Sequence, residues 1–279
     1  MNKTIRITFI TPCFCRGADC SPFGTPEIRP PSIRGQLHWW FRALGGSSLD
    51  ENSIFGSVHG EATASKIVVR VRYPLSPRTE NSPTLPHKSG GPASPKQAMA
   101  PGVSFDLLLS TRLGGLTAAL EKKLAHAVDA WLLMGALGLR ATRGGGNFTW
   151  TGQPDSPDDY QNAVNVMIRG SQLRAAMLKQ DYAHAEQARR DITDTLADRA
   201  FGHAAPLGKA LGGRKTSPLR FRVVGFGPEA FRILAVWDGR TAVTGNTIRD
   251  LTNAVETLAA ANKPIGIQLR QVQQAFLQQ

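Results

Sequence analysis

The chain has 279 residues and a formal net charge of +12. Its 41% hydrophobic content is enough for a real core, which excludes wholesale disorder, and no apolar run is long enough to cross a bilayer. A charge surplus of this size costs self-repulsion in the compact state, so a polyanionic partner is expected: nucleic acid ahead of an anionic membrane surface, because no long helix joins a cationic face to a strongly apolar one. A basic face docked on an acidic subunit is the alternative.

Lys3 to Ile10 alternates, with Ile5, Ile7 and Phe9 on one face and Thr4, Arg6 and Thr8 on the other. This reads as a strand rather than a signal peptide, and the protein is expected in the cytoplasm. A loop with Cys13, Cys15 and Cys20 follows. The spacing matches no familiar zinc pattern and has no second cluster downstream, so three reduced thiols are expected and no metal. "EIRPPSIRGQLHWWFRALGG", Glu27 to Gly46, predicts a helix that Ser32 can cap and Gly45-Gly46 can end. Ile33, Leu37, Trp40, Phe41 and Leu44 fall on one stripe, and Arg34, His38 and Arg42 form a second, basic stripe beside it. Gly35 offers no side chain there, so a phosphate backbone could approach, helped by the amides of the first turn. Trp39 is the more exposed of the two tryptophans and could stack a base.

Ser65 to Tyr73 reads as a strand with a mostly basic outer face. Residues 74–101 hold seven of the eighteen prolines and are expected to form a flexible or extended insertion, a hairpin-like arm. Val103 to Ser110 predicts a strand, Leu116 to Ala136 a helix and Asn147 to Thr151 a short strand. The order strand, helix, strand, strand, helix, strand is that of a split βαβ, ferredoxin-like unit: α+β, with an antiparallel sheet and its helices on one face. The second half predicts helices over Asp158 to Lys179 and Tyr182 to Arg199. Strands over Leu219 to Gly225 and Phe231 to Trp237 come next, then a helix over Thr247 to Ala261 and a last strand over Ile265 to Leu269. It looks like an altered second copy, its opening strand missing or replaced. The expected domains are residues 1–152 and 153–279.

"GALGLRATRGGGNF" follows a helix and precedes a strand. A Rossmann or P-loop glycine motif has the opposite context, so no nucleotide cofactor is expected. A backbone that can lie against a polyanion remains, with Arg140 and Arg143 among its amides and Gly144 and Gly145 beside them. "PLGKALGGRKTSP" repeats the theme with Lys209, Arg214 and Lys215. Three elements rich in glycine and basic residues suit a groove that tracks a sugar-phosphate backbone. His38 could serve as a general base in RNA cleavage, but no second candidate stands at a supporting spacing. Asp50-Glu51, Asp155 and Asp158-Asp159 occupy loops or helix starts, where acids cap helices, which disfavours a metal-dependent nuclease.

Three stretches together, "IRPPSIRGQLHWWFRALGG", "SIFGS" at Ser53 to Ser57 and "ASKIVVRV" at Ala64 to Val71, resemble the N-terminal signature of the RAMP superfamily. Within it they are most similar to the first RAMP subunits of type III-B CRISPR effectors. The glycine-rich stretch resembles the loop near the end of a RAMP domain. The resemblance implies tandem ferredoxin-like (RRM-like) RAMP domains. It also implies a place at the head of a ribonucleoprotein among other RAMP subunits, near the 3′ end of the guide, binding CRISPR RNA and the target RNA duplex. Cleavage and signalling would belong to other subunits, and a metal-independent endoribonuclease using His38 is the alternative. By matching position, Arg34, His38, Arg42 and the glycine loop with Arg140 and Arg143 should face RNA, with Lys66 joining them; Arg29, in the same N-terminal stretch, is also expected among the RNA-binding residues.

Overall fold

The computed structural model describes residues 1–17, 24–58, 62–73, 76–86, 95–112, 114–178, 180–193 and 219–238. In chain order its elements are β1 (Asn2–Phe9), α1 (Pro30–Ala43), α2 (Ser48–Phe55), β2 (Ile67–Arg72), β3 (Thr79–Pro83), β4 (Pro95–Met99) and β5 (Ser104–Thr111). Then come α3 (Ala118–Met134), β6 (Phe148–Trp150), α4 (Pro157–Ile168), β7 (Leu173–Met177), α5 (Ala185–Asp191), β8 (Leu219–Gly227) and β9 (Ala230–Asp238).

The first sheet has the order β2-β5-β1-β6, every pair antiparallel. With α1 joining β1 to β2 and α3 joining β5 to β6, this is the ferredoxin-like arrangement. Register places Ile5 opposite Leu107 and Ile7 opposite Phe105, so the apolar positions of both strands share one face. That face is buried under Leu37, Trp40 and Phe41 of α1 and Leu124, Val128 and Trp131 of α3. The opposite face is polar. There Asp106 accepts from Arg6 at 3.0 Å and Arg72 at 2.9 Å.

α1 begins two residues before the expected cap. Arg29 is its N-cap with no side-chain bond, and Pro30 and Pro31 occupy the first turn, where a fixed φ suits the helix and no N–H is needed. Its end is a glycine turn as expected: Gly45 takes φ +89°, its amide donates to Arg42 and that of Gly46 to Phe41. α2 was not expected. Eight residues are too few for a periodic signal, but the Ser47 hydroxyl accepting from the Asp50 amide is a capping pattern visible in the sequence. The proline-rich insertion is a hairpin, β3 against β4. Its inner strand docks on the core through the buried Ala98 and Met99.

In the second half the segment expected to be one helix, Asp158 to Lys179, is helix α4 followed by strand β7. Leu173-Arg174-Ala175-Ala176-Met177 is rich in helix formers, yet antiparallel pairing with β9 makes it extended; tertiary pairing overrides local propensity. The sheet order is β7-β9-β8. With α5 between β7 and β8, these are the first three strands and first helix of a ferredoxin-like unit, so β7 is the opening strand the sequence reading had missing. The expected helix over 247–261 and strand over 265–269 lie outside the described residues.

The halves share buried contacts. Arg222 of β8 is 2% exposed and donates to the carbonyls of Leu132, Gly135 and Phe148, each at 2.6 Å. Its guanidinium lies over the Phe148 ring. Burial pulls its pKa down, and carbonyl dipoles at the end of α3 stand in for a carboxylate partner.

Candidate nucleic-acid interface

The chain leaving β1 passes between two other segments. Cys13 and Met99 exchange backbone bonds of 3.0 Å on one side; on the other, the Leu139 amide donates to Phe14 at 2.9 Å and that of Gly146 to Pro12 at 2.9 Å. Positions 12–15, strand β4 and the glycine loop are thereby stitched together. The loop folds back on itself through left-handed residues: Gly138 (φ +79°), Arg140 (φ +67°), Gly144 (φ +73°) and Gly146 (φ +61°). At Gly138 a Cβ would come within 2.8 Å of the Phe14 carbonyl, so glycine is required there by both conformation and space. A non-glycine residue at positive φ, as at Arg140, marks a backbone held by its surroundings.

The loop's amides are not the bare nest the sequence reading expected. Those of Arg143 and Gly145 donate to Arg140, and those of Gly144, Gly146 and Leu139 donate to Phe221, Pro12 and Phe14. The first turn of α1 likewise contributes no free amides: two of its residues are prolines, and the Ser32 amide donates to Arg29. Only the axial dipole of α1 remains to favour an anion.

The basic stripe of α1 faces α2. Arg34 donates to the Phe55 carbonyl. His38 Nδ1 meets Glu51 Oε1 at 2.6 Å, and Arg42 Nε lies 3.5 Å from the same oxygen. The His38 ring also packs on Phe55, centroids 4.0 Å apart. Gly35 sits on the open ridge of the helix, with no atom within 4 Å of where a Cβ would stand. Trp39 lies on the other flank, under the Arg220 guanidinium at 3.6 Å. Lys66 borders a separate groove with Leu49, Leu116 and Thr117. Arg143 turns inward and donates to Leu219 at 3.1 Å; burial, then the charge of Arg140, lowers its pKa to about 10. Its task is to clamp the loop to β8. Gly144 and Gly145 are buried within the loop. Lys209, Arg214 and Lys215 lie outside the described residues.

Basic groups converge elsewhere. A cavity of about 460 Å³ opens between the start of α1, the glycine loop and the docked arm. Arg16, Arg29 and Lys96, from three separate segments, border it, and among the described residues none that lines it is acidic. The floor is apolar, formed by Ile28, Ile33 and Leu137. Arg29 was expected from the sequence; Arg16 and Lys96 were missed, because neither lies in a periodic segment and only the folding of the arm brings Lys96 to this place. Cys15 also lines the cavity. A hydrogen bond from the Cys13 thiol holds its pKa below the usual range, against the effect of burial. Burial, first, and the neighbouring Cys15 push the Cys13 thiol well up. Among the described residues no group of three His, Cys, Asp or Glu is placed to hold a metal ion, and no helix is long and apolar enough to cross a membrane.

A ferredoxin-like unit closed by a glycine-rich loop that follows its second helix is the architecture of one class of proteins. The sequence model of the RAMP superfamily matches residues 6–149, over half of the chain, and the chain belongs to that superfamily. Two relatives in Pyrococcus furiosus are similar in sequence: the CRISPR system Cmr subunit Cmr1-1, 36% identical over 75 residues, and Cmr1-2, 39% identical over 70 residues. These matches span 24% and 22% of this chain, and 21% and 34% of the relatives' own lengths. In fold, the chain is similar to the crystal structure of apo Cmr1 from Pyrococcus furiosus, with a TM-score of 0.60 at 18% identity, covering 96% of this chain and 98% of that one. A chain of the type III-B Cmr-beta assembly bound to cognate target RNA and AMPPnP matches with a TM-score of 0.54 at 10% identity, covering 94% and 99%.

Proposed function

We propose that the protein is a non-catalytic RNA-binding subunit of a type III-B CRISPR ribonucleoprotein effector acting in antiviral defence in the cytoplasm. In this reading it sits at the head of the complex among other RAMP subunits. It contacts the 3′ region of the guide RNA and the duplex that the guide forms with target RNA. Its N-terminal RAMP unit is residues 1–152 and its second residues 153–279.

The observation that carries the reading is the convergence of Arg16, Arg29 and Lys96 on one cavity beside the glycine loop, with no acid among the described lining residues. Superfamily membership and the likeness to two Cmr subunits support the choice of complex. Phosphate contacts would position the RNA without reading its sequence. Of the residues expected from sequence, Arg29 and Gly35 meet RNA directly. Arg140, Arg143, Gly144 and Gly145 shape the loop that bounds the track, while Arg34, His38 and Arg42 brace α1 against α2.

The test is RNA affinity as a function of salt. Log affinity should fall steeply with log salt, and Arg29→Ala and Lys96→Ala should each reduce the slope by about 1. Binding that hardly changes with salt would instead favour an acidic protein partner. The ribonuclease alternative draws on the His38–Glu51 bond of 2.6 Å, an arrangement that can orient a base. RNA cleavage that His38→Ala abolishes without loss of binding would establish it; RNA left intact by the wild-type chain would reject it.

A further inference from the structure

The cavity beside the glycine loop is the wrong shape for a phosphate alone. Its volume of about 460 Å³ falls in the range that holds small organic ligands. Ile28, Ile33 and Leu137 form its floor, and such groups offer nothing to a phosphate oxygen. Leu139, at the mouth, is 46% exposed. A large apolar side chain held out beside three cations suits a ligand that is apolar at one end and anionic at the other. The exposed Ser32 and the half-buried Cys15 thiol also line the cavity. Glu27, on the same segment, packs against Gly17, and its charge is felt at Cys15 in the lining.

We infer that the cavity takes one nucleotide unit of the bound RNA, its base on the apolar floor and Leu139, its phosphate on Arg29 and Lys96. The inference rests on the RNA-binding reading and adds a base-dependent component to it. A track that held only phosphates would have no use for the floor. A flat base fits between aliphatic side chains without needing matched hydrogen-bond donors, so the site tolerates different sequences, as stacking platforms do.

The test compares a 5′-phosphorylated hexaribonucleotide with a fully abasic hexamer of equal charge on the full-length protein, with adenosine 5′-monophosphate as a third ligand. The hexaribonucleotide should bind at least about tenfold more tightly than the abasic oligomer. Ser32→Phe, which fills the cavity from an exposed position on α1, should bring that ratio close to one. Leu139→Ala, on the loop, should lower it as well and serves if Ser32→Phe does not fold. Equal binding of the two hexamers, or a ratio that neither variant changes, overturns the inference while leaving phosphate binding intact. Tight binding of the mononucleotide with no difference between the hexamers overturns it in favour of a free-nucleotide site. Failure of the wild-type chain to bind either hexamer rejects the RNA-binding reading itself.

Discussion

Two residues two positions apart, Cys13 and Cys15, show how neighbours divide a chemistry. Cys13 is fully buried, its sulfur 3.6 Å from the Leu137 carbonyl oxygen. Cys15 lines the cavity and is the one stabilised as a thiolate. Thiolate fraction and access together set alkylation rate. Iodoacetamide at neutral pH should label Cys15 while leaving Cys13 unmodified until the protein unfolds, as peptide mass spectrometry would show; Cys13 labelled first would contradict the placement. Arg222 poses the opposite problem. Arg222→Met keeps most of the volume but strands three buried carbonyl acceptors, at Leu132, Gly135 and Phe148. It should cost about 2–4 kcal/mol in urea unfolding, at the upper end of single-substitution effects.

At the scale of the element, α1 allows stability to be tested apart from the proposed binding. Gly35 lies in the helix with open space around it, so Gly35→Ala should raise stability by about 0.5–1 kcal/mol. If an RNA backbone runs along that ridge, the same substitution should weaken RNA affinity; higher thermal stability with unchanged affinity would remove Gly35 from the interface. The buried stripe of this helix was legible in the sequence, because a 3.6-residue period needs no tertiary information. The partners of its basic stripe were not, because Glu51 and Phe55 belong to another helix, and nothing in the spacing of Arg34, His38 and Arg42 says what will lie opposite. The second opening strand was hidden for a related reason: the segment from Leu173 to Met177 carries helix-forming residues, and only its pairing with β9 makes it a strand.

For the whole molecule, the acid limb of stability follows from exposed ion pairs. Asp50 is held below the ordinary carboxylate range by Lys123 and Ser47, Asp106 by Arg6 and Arg72, and Asp181 by Arg232. A carboxyl whose folded pKa is depressed lends stability above its unfolded pKa, near 4, and loses it as pH falls through the lower folded value. On the alkaline side, burial pushes Tyr160 up to about 12, opposed by the charge of Arg222. The stability of its neutral form is present below the unfolded value, near 10, and fades as pH rises toward 12. Melting temperature should therefore be flat from about pH 5 to about pH 9, with a gradual acid decline beginning below about pH 4. A melting temperature that rises below pH 4 would contradict these pairings.

By itself the sequence determined the ferredoxin-like order of the N-terminal unit, the arm, the glycine loop and the expectation of a polyanionic partner, since each is written in local periodicity, turn residues or summed charge. Only the tertiary structure decided where each cation lies. Arg34, Arg42 and Arg143 are occupied by acceptors that folding brings to them. Arg16, Arg29 and Lys96, up to eighty residues apart in the chain, meet at one cavity because the hairpin arm docks beside the glycine loop. A charge is counted in the sequence, but what lies beside it depends on neighbours that only long-range packing supplies.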